Sequence, residues 1–169
     1  MQLVEQLNYD LNIKQLLEEC PDILCIHNHP LGFRMNGLSV QHRKGIVEPW
    51  TSIDGLESLK LYGDVSEAEF NVVNKSYKNT LIEKVIQDFK LVRSRFLVLP
   101  GRINYSIHQD NTWRLHIPIK TNPDCLFYFP DHKEHFHLEE GKVYKVNTTE
   151  RHTFLNAGIC NRVHFIGCL

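Results

Sequence analysis

The chain has 169 residues, 42% of them apolar, with 19 Lys and Arg against 20 Asp and Glu. This length and apolar share predict one domain over residues 1–169 with a real core and exclude a disordered chain. A formal net charge of -1 supplies no general field for a polyanion, so neither a nucleic acid nor a membrane is an expected partner. No apolar run reaches the roughly 20 residues that span a bilayer.

The start, MQLVEQLNYD, lacks the basic stretch and apolar run of a signal peptide. The five cysteines, Cys20, Cys25, Cys125, Cys160 and Cys168, are odd in number and form no CxxC. They read as free thiols of a cytoplasmic protein.

In chain order, residues 1–20 predict a helix, with Leu3, Leu7, Leu11, Ile13, Leu16 and Leu17 as a rough apolar stripe. Pro21 ends it. A segment from His27 to Pro49 follows, in which Gly37 to His42 can form a short strand. His27, His29 and His42 here could line a cleft mouth, and Trp50 reads as a core anchor. Residues 66–90 carry the strongest helix signal. Ser66 and Glu69 make a capping box, and Phe70, Val73, Tyr77, Leu81, Val85 and Phe89 recur every three or four residues. Asn79 and Thr80 mark a point where that helix can break.

Beyond residue 90 the pattern changes to short β-rich runs at 96–102, 103–108, 113–119, 125–129, 142–147, 152–156 and 162–167. The turn residues DN, NPD, EEG and NAG lie between them. Such spacing predicts an antiparallel sandwich or jelly roll. The expected organisation is mainly β with N-terminal helices: a helical support region over 1–90 and a β core over 91–169.

Ten histidines are about twice the ordinary share of roughly 2–3%, and their spacing singles some out. His108 and Asp110 are two apart on a predicted strand, so both point to one face. A His plus a carboxylate is two-thirds of the facial triad that binds ferrous iron, and His152, opening a later strand, is a suitable third ligand. Arg162 lies ten residues further on, between apolar neighbours. An Arg projecting into a barrel calls for an anion, and guanidinium pairs well with carboxylate. Arg114 and His116 repeat the pattern on another strand, although each of these residues could instead face solvent from a half-buried strand. His164 shares a face with Arg162.

The stretches HQD at 108–110, RLHIPI at 114–119, ERHTFLNAG at 150–158 and NRVHF at 161–165 resemble the aspartyl/asparaginyl β-hydroxylase-like group of iron(II)/2-oxoglutarate dioxygenases. The resemblance covers about residues 92–167 and implies a double-stranded β-helix, the cupin-like jelly roll. It implies that His108, Asp110 and His152 bind iron(II) and that Arg162 holds the distal carboxylate of 2-oxoglutarate. Arg114 and His116 would help bind a carboxylate of cosubstrate or substrate. Dioxygen is the co-reactant, ascorbate a stimulant, and the substrate an amino-acid residue of a protein or a free amino acid. Mammalian aspartyl hydroxylases have Gly in place of Asp110; this chain has the full ligand set, as the proline hydroxylases of the group do.

Two other readings compete. DHKEHFHLEEG at 131–141 holds His135 and His137, which a cupin-type metalloprotein without 2-oxoglutarate would use as an HxH pair; in a polar hairpin they are ordinary surface residues. A non-catalytic β-sandwich binding module would leave all ten histidines without chemistry.

Overall fold

The computed structural model describes residues 1–21, 23, 37–45 and 65–169. His27, His29 and Trp50, singled out above, lie outside the described residues. In chain order the strands are β1 (Val4–Leu7), β2 (Gly37–Ser39), β3 (Gln41–His42), β4 (Val72–Val73), β5 (Val92–Leu99), β6 (Ile103–Asn104), β7 (Arg114–Lys120), β8 (Cys125–Phe129), β9 (Glu134–Phe136), β10 (Val143–Val146), β11 (Thr153–Asn156) and β12 (Arg162–Cys168). Among the described residues the α-helices are α1 (Ile13–Glu19) and α2 (Leu81–Phe89). Two compact units divide the chain, one of Met1–Ile13 with Val98–Phe165 and one of Lys14–Leu97 with Ile166–Leu169. The first thirteen residues therefore belong with the strands, and not with the N-terminal support region in which the sequence suggests they lie.

In the first unit, β1, β10, β7 and β12 lie side by side in that order, and β6, β11, β8 and β9 make a second sheet. Strand β8 alternates as a two-faced strand should: Cys125, Phe127 and Phe129 are buried, Leu126 and Tyr128 half-buried. Phe127 and Phe129 from β8 join Tyr144 and Val146 from β10, with Leu3 and Leu138, in one buried cluster that draws on both sheets. This is the jelly roll expected from the strand spacing. Each such aromatic or aliphatic side chain contributes about 1.5–3 kcal/mol by leaving water. Gly141 sits at φ +76° in the turn before β10, a left-handed conformation that L side chains rarely adopt.

The whole of β7 up to Ile119 and the whole of β12 are buried. Neither strand has the solvent-facing side that a half-buried strand would offer. Arg114, His116, Arg162 and His164 are each about 2% exposed, so all four lie in the interior.

In the second unit β2 pairs with β5 and β3 with β4. Helix α2 buries Ile82, Val85 and Ile86. Buried Gln41 donates to the Leu91 carbonyl at 2.9 Å and accepts from the Ser94 amide at 3.0 Å. Buried Arg93 donates to Glu67 at 2.8 Å.

Three sequence expectations change. Residues 1–20 are a strand followed by a short helix, because Val4–Leu7 pair with β10 and satisfy their backbone there. The 66–90 helix is confined to 81–89. The Ser66–Glu69 capping box forms, but it caps a single 3-10 turn over Glu67–Glu69. Val72–Val73 then pair with β3, and Asn79 at φ 60° breaks the chain before α2. The β-branched pair and the left-handed Asn outweigh an apolar period that was helical only on paper. Finally, the polar hairpin at 131–141 contains β9, which pairs with β8.

Candidate metal centre

His108 and His152 form an antiparallel bridge in which each amide donates to the other's carbonyl, at 3.0 and 2.9 Å. This places the two rings side by side, 4.3 Å between centroids. The Asp110 amide donates to the Thr148 carbonyl at 2.8 Å, returning the carboxylate to the same place. One ligand atom from each of His108, Asp110 and His152 lies within 4.8 Å of the other two. His152 Nε2 is 4.0 Å from Asp110 Oδ2, inside the about 4.2 Å that two ligands at about 2.1 Å from one ion can span.

The ring tautomers fit a metal. His108 Nδ1 lies 2.8 Å from the Ser106 carbonyl and His152 Nδ1 2.9 Å from the Glu150 carbonyl. A carbonyl only accepts, so each Nδ1 carries a hydrogen, and in the neutral ring that leaves the lone pair on Nε2 for an ion. Burial pushes the His152 pKa down, opposed by its hydrogen bond to Glu150, and keeps that lone pair available. Arg114 Nε donates to Asp110 Oδ2 at 3.1 Å, and a terminal nitrogen of the same guanidinium donates to Thr112 Oγ1 at 2.7 Å. Arg114 thus orients the carboxylate that the sequence marks as a ligand. A donor set of two imidazoles and one carboxylate suits a first-row divalent ion such as iron(II).

The aromatic side chains of the second sheet wall this centre. Phe127 stacks on His152 at 5.4 Å. Tyr105, which the sequence reading passed over, stacks on Phe154 at 4.9 Å and meets the His108 ring edge-on at 5.0 Å. It remains half-exposed between exposed Ile103 and Ile107. The alternating Ile103, Tyr105 and Ile107 leading into HQD was the available signal for it.

Arg162 and His164 are two apart on β12 and so share a face. The Arg162 guanidinium lies over the Phe154 ring, 4.6 Å from its centroid. Its Nε has no hydrogen-bond partner, and no carboxylate among the described residues pairs with it. Burial lowers its pKa to about 10, opposed by nearby Cys125, so it is still a cation at neutral pH. Neither ring nitrogen of His164 has a partner. Burial, then the charge of Arg162, push its pKa well below 6.5, so the ring is neutral. His116 meets His164 at 5.8 Å between ring centroids and Phe127 at 5.2 Å, both edge-on. A buried polar group left unpaired costs about 1–3 kcal/mol, and a charged one more. An interior with an unpaired guanidinium and an unpaired imidazole suits an anion.

The competing HxH pair does not assemble. His135 is exposed on β9, opposite Tyr128, and His137 is tied to the Cys125 carbonyl at 3.0 Å. His132 pairs with Glu150 at 3.1 Å. Among the described residues, His108, Asp110 and His152 are the one group of three or more His, Cys, Asp or Glu side chains spaced to hold an ion.

A mainly β jelly roll carrying a His-x-Asp…His centre defines the class of protein. The Aspartyl/Asparaginyl beta-hydroxylase family matches residues 10–167, and the chain belongs to that family. Among solved structures, the chain is similar to the viral collagen prolyl hydroxylase from Paramecium Bursaria Chlorella virus-1. The truncated form matches with a TM-score of 0.54 and 11% identity over 99% of this chain and 90% of that one. Its 2OG complex matches with a TM-score of 0.51 and 10% identity over 99% and 95%. At those identities the likeness is one of fold. A cupin domain from Bordetella pertussis matches 44% of this chain and 77% of its own, with a TM-score of 0.40 and 17% identity. A search of the curated proteins finds no match. Among the described residues no helix is long and apolar enough to cross a membrane.

Proposed function

We propose that this chain is an iron(II)- and 2-oxoglutarate-dependent dioxygenase that hydroxylates an amino acid, either a residue of a protein or the free molecule. The observation that carries this reading is the pairing of the His108–Asp110–His152 set with a fully buried Arg162 that has no acid partner among the described residues. A structural metal site needs no such arginine, and a binding module needs neither. Family membership supports the hydroxylase class.

In this reading, His108 and His152 hold iron through Nε2, and Asp110 through its carboxylate. Iron held there would supply, with dioxygen and 2-oxoglutarate, the oxidation that hydroxylates a substrate C–H bond while 2-oxoglutarate becomes succinate and carbon dioxide. Arg162 binds the distal carboxylate of 2-oxoglutarate bidentately. Arg114 fixes Asp110, and His116 lines the same interior. Phe127, Phe129 and Phe154 keep water from the reacting centre, while half-exposed Tyr105 faces the side from which substrate arrives. No side chain needs to act as a general base. The setting we propose is cytoplasmic, supported by the thiol state of Cys20, Cys125, Cys160 and Cys168.

The test is incubation with iron(II), ascorbate and 2-oxoglutarate, with succinate quantified and candidate amino acids, peptides and lysate proteins weighed by mass spectrometry. Succinate release and a gain of one oxygen are expected, both lost in Asp110→Ala. Absence of iron binding by calorimetry, or iron binding that survives Asp110→Ala, would sink the reading.

A further inference from the structure

We propose that His164 is a second arm of the anion pocket: its imidazole binds the same carboxylate as Arg162 and takes up a proton as that carboxylate enters. Affinity for the dicarboxylate then rises as pH falls. The inference rests on the reading of the interior as a 2-oxoglutarate site and assigns His164 a role that the metal chemistry does not require.

The geometry supports it in three ways. First, His164 and Arg162 point from β12 to one side and are both about 2% exposed. Second, both ring nitrogens of His164 lack a partner. A side chain wanted only for packing at this position would be apolar, as Val163, Phe165 and Ile166 on the same strand are. Third, the titratable groups that act on His164 carry no negative charge: Arg162 on its own strand, His116 from β7 and His137 after β9. Before the anion arrives, these bases and burial hold the ring neutral. A carboxylate placed against Arg162 reverses that field and favours the imidazolium. The carboxylate has about four lone-pair sites, of which a bidentate guanidinium takes two, so a donor from His164 has an acceptor to meet. Linkage makes the effect reciprocal: a proton gained on binding means that protons promote binding, with log Kd rising by at most about one per pH unit for one proton.

Isothermal titration calorimetry of the iron(II)-loaded chain under nitrogen, with 2-oxoglutarate as titrant, reads this directly. In the loaded protein His108 and His152 are committed to metal and cannot accept the proton. Titrations in phosphate and in Tris, whose ionisation heats differ, are expected to show net uptake approaching one proton. Kd is expected to rise by up to about tenfold per pH unit above neutrality. Pyruvate, which has the keto acid but no distal carboxylate, should bind without that uptake. His164→Asn, which cannot titrate, and His164→Leu should both bind 2-oxoglutarate roughly tenfold more weakly, with no dependence on buffer or pH. If His164→Leu fails to fold, His164→Asn and the wild-type buffer comparison still decide. Wild-type affinity or wild-type proton uptake in His164→Asn would overturn the role of His164 while leaving the 2-oxoglutarate reading intact. Failure of the wild-type chain to bind 2-oxoglutarate would overturn both.

Discussion

Two of the buried arginines, Arg93 and Arg162, are buried for different reasons. Arg93, in the second unit, is 3% exposed and meets the buried carboxylate of Glu67 at 2.8 Å, with its guanidinium 5.8 Å from the Phe70 ring centroid. Arg162, in the first unit, is 2% exposed and lies 4.6 Å from the Phe154 ring centroid, but among the described residues it has no acid. Both have the aromatic neighbour; only one has the counter-ion. A guanidinium buried for structure brings its anion along in the chain, because an uncompensated charge in the interior is strongly unfavourable. On the function proposed above, a guanidinium buried without one takes its anion from solution, and the candidate metal centre in the same unit indicates which kind.

The comparison breaks if the two arginines respond alike to truncation. Arg93→Met strands Glu67 in the interior and is expected to destabilise the chain by about 3–5 kcal/mol. Arg162→Met removes an unpaired charge and strands nothing, so the free chain should be unchanged or up to about 1–4 kcal/mol more stable. Urea midpoints of both variants measure this; an Arg162→Met loss equal to that of Arg93→Met would make Arg162 a structural residue. The same Arg162→Met variant should lose about 2–5 kcal/mol of binding to 2-oxoglutarate by calorimetry, whereas ligand binding in a folded Arg93→Lys should be close to wild type.

A smaller effect sharpens the picture at the metal end. Arg114 is buried as well, and its acid is Asp110. Arg114→Leu is expected to weaken iron(II) affinity by about 10–100-fold, since it releases the ligand from its hydrogen bond. Lys should restore little of it, because the paired Nε and terminal N–H contacts to Asp110 and Thr112 need the planar fork.

The pH dependence of stability follows from His164. Its pKa is lowered in the folded chain, so the unfolded chain binds more protons once the pH approaches 6.5. The stability associated with a neutral His164 is therefore complete above that pH and is lost as pH falls below it. Denaturant midpoints of the metal-free chain at pH 7.5 and 5.5 should fall with acid, and fall less in His164→Leu. The smallest effect is at the rim. Tyr105→Ala removes a stacked and an edge-on aromatic contact, each worth about 0.5–1.5 kcal/mol. It should alter apparent substrate KM more than iron affinity.

The β core was largely legible in the chain. The runs at 125–129, 142–147 and 152–156 become β8, β10 and β11 almost residue for residue, because alternation and flanking turn residues act locally. The helices were less legible. Leu3 and Leu7 sit at a helical spacing, yet Val4–Leu7 form a strand because β10 offers an edge to pair with. That preference is set by a segment about 140 residues away and has no local signature. The candidate site residues were legible as types and spacings: HxD on one face, then His152, then Arg162.

What the sequence by itself determined is the chemistry on offer. It contains two histidines and a carboxylate at strand spacing, an arginine flanked by apolar residues, and an order of motifs that belongs to the aspartyl/asparaginyl β-hydroxylase family. What only the tertiary structure decided is which groups are already satisfied. The sequence shows Arg93, Arg114 and Arg162 as equal cations. Folding pairs the first with Glu67 and the second with Asp110, and leaves the third, with His164, buried and unpaired among the described residues. Partnership depends on which strands lie side by side and which faces they turn inward, and long-range packing sets both.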